Sequence, residues 1–599
     1  MRTEATHATS TRRTFVAGAG AGMAGAALAV GTGTSASAAA RQGDKAEAKP
    51  SVAVLGGGVA GLTAAHELAE RGFDVTVYER RALGGKARSM DVPDSAKGGR
   101  KPLPGEHGFR FIPGIYHNLP DTMRRIPFPG NEKGVFGNLV FPREMSFART
   151  GREDLRFPIP WAGNEPPELT LDDISRMLRA LLDTALRLPA HEAAYFVNRA
   201  LVFLTSCDER RNEKWESTPW WEFVRAAQMS EDYQRILAIG ITRNIVATKA
   251  EEASTRTVGS VGEAFVFNAL GQGADGPPDR ILNAPTNEAW IDPWVKHLTS
   301  LGVTFKVGWS VLGVPYADGK VPSVSVEDPD GKRHDVTADH YVCALPVERA
   351  RRLWSEELRA ADPRLARCDE LRTDWMTGIQ FYLTERTPIL DGHLNCIDSP
   401  WSLTGIAQAT HWPDRDFPAD YGDGVAADCL SVDISEWDKP GILYGKTAKQ
   451  CTREEVAKEV WAQLKAALND TGKTVLKGSA LHSWFLDPGV DGIGGPHPTN
   501  EDELLIHPVG TFHNRPDAAT RVPNFFLAGD YVSVDIDLAT MEGANASARQ
   551  AVNALLERTG SDAERCTVTP MFRAPAIEAL KRHDRTRYRL GLPNAFDLG

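Results

Sequence analysis

The sequence predicts an α/β protein. A Rossmann-like dinucleotide-binding domain is assembled from separated segments and carries an inserted α+β substrate domain. Three observations point there. A complete βαβ fingerprint fills residues 52–79. Strand-and-helix rhythm of the same kind fades after about residue 119 and resumes near 281. An apolar strand ending on Gly529 and Asp530, with a helical pattern behind it, completes the set before residue 558.

The fingerprint has every part in place. Residues 52–55 are an apolar run the length of a buried parallel strand. Gly56, Gly58 and Gly61 follow in G-x-G-x-x-G spacing, then an Ala-rich helical pattern over 60–71, then a second apolar run over 75–78 that ends on Glu79. Gly56 permits the tight turn, Gly58 lets a pyrophosphate approach the backbone, and Gly61 lets helix and strand pack closely. The first N–H groups of the helix, at Val59 and Ala60, lie at the positive end of its dipole and suit phosphate. Glu79 can bind both hydroxyls of an adenosine ribose. A lone G-x-G-x-x-G is weak; with both strands, the helix and the acid, an ordinary glycine-rich turn is a poor account of it.

The totals bound the rest. The chain has 599 residues, 42% hydrophobic and 25% charged, which is globular and too long for one core. A formal net charge of -11 argues against a nucleic-acid partner. Cys207, Cys343, Cys368, Cys396, Cys429, Cys451 and Cys566 are scattered. They form no C-x-x-C or Cys/His cluster, so neither a metal site nor a disulfide framework is expected.

Residues 1–40 read as a targeting segment. Arg12-Arg13 stand before Phe15, a weakly apolar Ala/Gly stretch follows, and Ala36-Ser37-Ala38 reads as a cleavage site. The segment resembles a twin-arginine export signal, which carries proteins already folded around a cofactor. The expected destination is the cell envelope or beyond. The Ala/Gly stretch is too weakly hydrophobic for a membrane anchor. Residues 41–50 are a polar linker.

After Glu79 come Arg80, Arg81, Ala82, Leu83, Gly84, Gly85 and Lys86: a second glycine loop flanked by cations. This run resembles the E-x-R-x-x-x-G-G-[RK] segment of the flavin amine oxidase and carotenoid desaturase superfamily, one residue short between Arg81 and Gly84. Lys86 agrees with the desaturase branch. Residues 105–119, with Glu106, His107, Gly108, Gly114, Tyr116 and Asn118, resemble the E-x-G-x-H-x-x-x-G-x-Y-x-N segment of phytoene desaturases, read with His and Gly in altered order. Phe525-Phe526-Leu527-Ala528-Gly529-Asp530-Tyr531, then Leu538-Ala539-Thr540-Met541-Glu542-Gly543-Ala544, resembles the F-[YF]-L-A-G-D-Y and L-A-[ST]-M-E-G-A blocks of plant and cyanobacterial phytoene desaturases. Residues 339–346 resemble the family's D-x-V-V-x-A-x-P strand beside the cofactor.

The resemblance implies FAD. Gly84-Gly85 and Gly529-Asp530 are contacts that only the extended flavin half needs, with Asp530 on the ribityl hydroxyls. The helix from Met541, with Ala544 in its first turn, would aim its N-terminus at the isoalloxazine N1/O2 locus. A backbone group near Val311 would contact the adenine. Glu79 repels a 2′-phosphate, while Arg80 and Arg81 leave a narrow opening for NADP. No cysteine lies between Cys451 and Cys566, so FAD is expected to be noncovalent. The loop at 105–119 would pass over the flavin, which makes His107 and Tyr116 candidate substrate-side residues; the competing reading is a satisfied buried polar pair.

The segments 51–119, 281–350 and 495–558 are assigned to the FAD-binding domain. Residues 120–280 and 351–494 go to the substrate domain, and 559–599 to a basic C-terminal tail. Trp215, Trp220 and Trp221 read as core. Residues 302–307 read as a strand continuing to Val311 and Val314. Residues 379–384 and 430–434 alternate as half-buried strands. Thr452 and Glu455 form a capping box ahead of a helix with Val456, Val460, Leu464 and Leu468 on one face. Trp484 and Phe485 are candidate cage residues.

The implied activity is a flavin-dependent oxidoreductase similar to carotenoid and squalene-type desaturases. A hydride would leave an apolar isoprenoid for the flavin, with quinone or oxygen as acceptor and a peripheral membrane contact as partner. An exported amine or amino-acid oxidase releasing hydrogen peroxide is the runner-up, and a flavin-binding protein without turnover is a third reading. No catalytic base can be named from the residues.

Overall fold

The computed structural model describes residues 49–597 apart from 160, 162–169, 388 and 390. The expected export signal lies outside the described residues.

Three distant stretches of chain share one parallel sheet. Its order is Phe525–Leu527, His340–Cys343, Ser51–Leu55, Asp74–Glu79, Thr304–Val307. The strands are near-continuous apolar runs because both faces are covered: Val52, Val54, Val75, Val77, Tyr341, Val342, Phe525 and Phe526 are all buried. Helices Val59–Glu70 and Met541–Thr559 pack against each other beside it. The strand expected to run on from 302 to Val314 instead breaks at Gly308, whose φ is +85°. Thr304–Val307 stays in the parallel sheet, and Ser310–Gly313 joins a separate antiparallel one with Val324–Glu327 and Arg333–Val336.

A second, seven-stranded sheet has the order Leu481–Leu486, Thr377–Leu383, Asp428–Ile434, Thr404–Ala407, Gly392–Cys396, Glu144–Ala148, Leu155–Pro158. All its pairs are antiparallel except Gly392–Cys396 with Glu144–Ala148. The half-buried reading of its central strands is corrected: Thr377–Leu383 and Asp428–Ile434 are buried at every position. One face carries Ile379, Phe381, Leu430 and Val432. It packs with Val456, Val460, Leu464 and Leu468 of the helix Arg453–Leu468, opened by the Thr452/Glu455 capping box. The other face carries Gln380, Tyr382, Ser431 and Asp433, and it is covered by the chain at 104–108. Tyr382 Oη donates to the Pro104 carbonyl at 2.8 Å, and Gln380 Nε2 to that of Glu106 at 3.0 Å. The alternation is real, but it is apolar against polar rather than core against solvent.

Two expectations about boundaries change. Val490–Asp491 pairs with Thr499–Asn500, and Arg372–Asp374 with Leu504–Ile506, so residues 495–506 pair with the segment expected to end at 494. The stretch 559–599 is no loose tail. Its helix Pro575–Arg589 packs on Ala190–Thr205 and Asp208–Arg210, where Asp584 and Arg210 form an ion pair with both side chains 2% exposed. Trp215 and Trp220 are core, Trp215 meeting Phe223 edge-on and Trp220 stacking on it.

Candidate functional site

The glycines of the first loop differ in what surrounds them. Gly56 has φ +104°, and a Cβ there would lie 2.7 Å from the Ala344 carbonyl oxygen. At Gly61 it would lie 1.9 Å from the Gly56 oxygen. Both are required by packing. At Gly58 only the Gly85 Cα comes within 4 Å, at 3.8 Å. Gly58 caps the helix that Val59 and Ala60 open, without a side-chain hydrogen bond, and pairs with Gly84 in an isolated parallel bridge. The two glycine loops therefore lie side by side, with open space over an uncapped helix start. A pyrophosphate fits such a cradle.

Glu79 stands at the tip of its strand. Its oxygens accept from the N–H groups of Gly57 and Arg81, each at 2.8 Å, and a carboxylate keeps capacity for further donors. Trp309 N donates to the Glu79 carbonyl, which brings the strand holding Val311 alongside. Arg80, Arg81 and Lys86 are placed differently from the expectation. Arg80 pairs with Glu501 at 2.9 Å, and Arg81 grips both oxygens of Asp502 at 2.6 and 2.7 Å. Lys86 is held by Glu348 at 3.0 Å and by the Glu503 carbonyl. These cations tie the second glycine loop to the stretch 501–503, where nearby carboxylates compete with any phosphate.

At the end of the strand Phe525–Leu527, Gly529 has φ +146° and exchanges hydrogen bonds with Ser547 Oγ at 2.9 Å. The Asp530 carbonyl accepts from Arg515 at 2.8 Å, but its carboxylate has no hydrogen-bond partner among the described residues, so it is free to accept from a polyol. Thr540 caps the helix that starts at Met541, and the Ala544 N–H closes onto the Thr540 carbonyl.

The sequence reading missed the role of Glu542. Its carboxylate accepts from the N–H groups of His117, Asn118 and Leu119 and from the Asn118 amide, at 2.8–3.0 Å. It thus caps the helix Asn118–Arg125 from outside, an anion on a helix N-terminus. The M-E-G-A block and the Y-x-N block are two halves of one interlock. Tyr116 is buried beside Thr540 in the same interlock, and burial pushes its hydroxyl pKa up.

At its own spacing, E-x-G-x-H-x-x-x-G-x-Y-x-N falls on Glu106, Gly108, Arg110, Gly114, Tyr116 and Asn118. The order is not altered; the one departure is Arg110 in place of histidine. A Cβ at Gly108 would meet Asp433 Oδ1 at 2.8 Å, and one at Gly114 the Gly276 oxygen at 2.2 Å, so both glycines are packed. His107 turns to Asp487, 2.6 Å away, and ties the loop to the seven-stranded sheet. It is Glu106, Phe109 and Arg110 that line a small cavity, with Leu282, Thr286, Ile406, Gln408 and Trp412 opposite. Gln408 Oε1 and Arg110 Nε have no hydrogen-bond partner there. Burial pushes the Glu106 and Asp433 carboxyls up to about 7, against the pull of Arg110.

Trp484 is a correction. It packs on the apolar side of the sheet with the helix Arg453–Leu468, whereas Phe485, one residue on, faces the loop, where a Cβ at Gly105 would lie 2.3 Å from its ring. Strand alternation decides this, and the spacing alone did not show which of the two pointed inward.

Among the described residues, two groups bring ligand-type atoms within 4.8 Å: His66, Glu70 and His297, and His107, Asp487 and Asp502. Each contains a carboxylate held by an arginine, Arg125 on Glu70 and Arg81 on Asp502. Trp294 Nε1 donates to His66 Nδ1 at 3.2 Å, which leaves Nε2 as the protonated nitrogen facing Glu70. Both groups read as ion-pair networks that brace neighbouring elements.

Comparison with known proteins agrees with this geometry. The model of the family described as flavin containing amine oxidoreductase matches residues 59–556. The zeta-carotene desaturase of Synechocystis sp. is 25% identical over 541 residues, covering 84% of this chain and 97% of its own. The 15-cis-phytoene desaturase of Synechococcus elongatus is 22% identical over 553 residues, covering 88% and 100%. Among solved structures, the cyclohexylamine oxidase of Brevibacterium oxydans superposes with a TM-score of 0.55 at 14% identity, covering 85% of this chain and 99% of that one, and so shares the fold. The chain belongs to the flavin-containing amine oxidoreductase family.

Proposed function

We propose that this protein is an FAD-dependent desaturase or dehydrogenase of an apolar, isoprenoid or carotenoid-like lipid. The observation that carries the reading is the interlock of Glu542 with Asn118. It joins the two segments that resemble desaturases, and relatives named as carotenoid desaturases align across nearly the whole chain. Gly58, Val59, Ala60 and the Gly84-Gly85 loop would hold the pyrophosphate, Glu79 the ribose, Asp530 the ribityl chain, and the helix start at Met541 the flavin pyrimidine edge. When bound, the flavin supplies the acceptor for a hydride, and quinone or oxygen takes the electrons onward. The residues of this chain orient the lipid and keep water out. Aerobic incubation with polyprenyl or carotenoid-like lipids and a quinone should yield a product two hydrogens lighter, with absorbance moved to longer wavelength. Unchanged lipid under every acceptor would remove the proposal.

One observation favours the amine-oxidase reading. The cavity beside the loop is small and sets Glu106, Arg110, Thr286 and Gln408 among its apolar walls, which suits a compact substrate with a polar group better than a bare hydrocarbon. Arg110 opposes that reading, because a buried guanidinium repels an ammonium ion.

Two finer points belong to the same proposal. FAD would be held noncovalently, since no cysteine lies between Cys451 and Cys566 in the stretch around Gly529-Asp530, and acid precipitation should release the chromophore. Arg12-Arg13 direct the folded holoprotein across the membrane, and replacing both with lysine should leave precursor in the cytoplasm.

A further inference from the structure

Dehydrogenation across a carbon–carbon bond removes a hydride and a proton. A flavin accepts the first, and a side chain must take the second. The small cavity beside the loop narrows the choice. It lies against the second glycine loop, since Arg110 Nη1 donates to the Lys86 carbonyl at 3.4 Å. Of the residues that line it, only Glu106 and Arg110 carry an ionisable group. An arginine stays protonated, which leaves Glu106. This carboxylate is held but not filled. Among the described residues, only Thr286 donates hydrogen bonds to it. The Thr286 N–H reaches Oε1 at 3.1 Å, and the hydroxyl is shared between Oε1 and Oε2 at 3.0 and 2.9 Å. Arg110 Nε stands 3.7 Å from Oε2, too far for a hydrogen bond, and has no partner of its own. Oε2 therefore keeps a lone pair that can take a proton. Other buried carboxylates of the chain are committed. Asp537 accepts from Arg515, Arg256 and Thr257, and Glu542 from three backbone N–H groups and an amide.

The surroundings of Glu106 suit a base. Burial raises its carboxyl to about 7, while Arg110 pulls it down. The other titratable groups that face it are Asp433, Tyr382 and Cys429. Burial pushes the tyrosine and the cysteine far above their ordinary ranges, so both stay neutral. A base that titrates near the working pH can both accept a proton and release it.

We infer that Glu106 is the proton acceptor of the oxidation: its carboxylate takes the proton from the carbon next to the one that gives up the hydride. The C–H bond pair left behind becomes the new π bond. Reduced flavin then yields two electrons and a proton, the Glu106 carboxyl yields the second proton, and a quinone leaves as its hydroquinone. The inference rests on the desaturase reading above. Anaerobic mixing of the holoprotein with polyprenyl or carotenoid-like lipids, followed at the flavin band from acid to alkaline pH, tests it. The wild-type rate should rise with pH through about 7, as Glu106 loses its proton. Glu106→Gln should keep its flavin and its fold, slow bleaching roughly hundredfold to ten-thousandfold, and lose that rise. Thr286→Val removes a hydrogen bond that favours the ionised carboxyl, so its rise should move to higher pH. This variant keeps the test alive if Glu106→Gln fails to fold. Infrared spectra need no substrate: a protonated-carboxyl band of the wild type, absent from Glu106→Gln, should vanish as pH passes about 7. Wild-type bleaching rates in Glu106→Gln would overturn the assignment. So would a carboxyl band that ignores pH in this range, or a rise that follows Asp433→Asn and ignores Thr286→Val. Wild-type protein that no lipid bleaches would instead remove the proposed function, and the base with it.

Discussion

The two large sheets solve the same problem, how to build a site on a buried scaffold, in opposite ways. The parallel sheet is apolar on both faces and offers its chemistry only at the loops beyond its strand ends, through glycines and uncapped N–H groups. The seven-stranded sheet is apolar on one face and polar on the other, and offers Gln380, Ser431 and Asp433 from within its own strands. A backbone site must be empty of side chains. A side-chain site must bury polar groups, and burial has already moved two carboxyls to about 7.

The largest expected effect breaks the comparison at the glycines. Gly61→Ala puts a methyl 1.9 Å from the Gly56 oxygen and should cost about 4 kcal/mol or more, leaving little soluble protein. At Gly58 a Cβ meets only the Gly85 Cα, at 3.8 Å, so with Gly58→Val the fold should survive while the flavin band disappears. Thermal melts beside visible spectra read both. A yellow Gly58→Val protein would mean that the cradle is not where the phosphates sit.

On the other sheet the probe is pH. Folded Glu106 and Asp433 titrate near 7, above their ordinary carboxylate range, so the folded state holds protons that the unfolded chain has released. Stability should therefore be highest below about pH 4, as far as these two groups decide it, and fall as pH rises to about 7. The cost is on the order of 3–4 kcal/mol for each carboxyl. Asp433→Asn should flatten that fall in denaturation midpoints measured from acid to neutral pH. An unchanged slope would show that another group titrates there.

Next comes the interlock between the sheets' loops. Glu542→Ala leaves three backbone N–H groups and the Asn118 amide without their acceptor, at a cost of about 2–3 kcal/mol. Glu542→Gln, which keeps an acceptor, should recover part of it in the same melts. The smallest effect sharpens the two-face claim. Trp484→Ala should lower the melting temperature and spare the flavin spectrum, whereas Phe485→Ala should shift the spectrum with a smaller loss of stability, because only Phe485 touches the loop at Gly105. Equal effects would mean that the faces are not separate.

How much of this was legible in the sequence follows the same division. Gly56, Gly58, Gly61 and Glu79 could be read because a phosphate cradle demands glycine at fixed spacing and an acid at the next strand tip. Trp484 could not be placed, since one residue of register exchanges the two faces. Arg80, Arg81 and Lys86 were read as cofactor-side cations beside the second glycine loop, because their partners, Glu501, Asp502 and Glu348, lie hundreds of residues away. Arg110 could have been found by counting the desaturase segment at its own spacing. The helix Pro575–Arg589 looked like a tail because its buried pair, Asp584 with Arg210, spans most of the chain.

The central claim is that this flavoenzyme oxidises an apolar lipid and not an amine. Anaerobic mixing of the purified holoprotein with polyprenyl or carotenoid-like lipids in detergent, followed at the flavin band, tests it most directly. The account predicts bleaching by the lipids and none by primary amines or amino acids. Rapid bleaching by an amine, with hydrogen peroxide released when air is admitted and no response to any lipid, would contradict it.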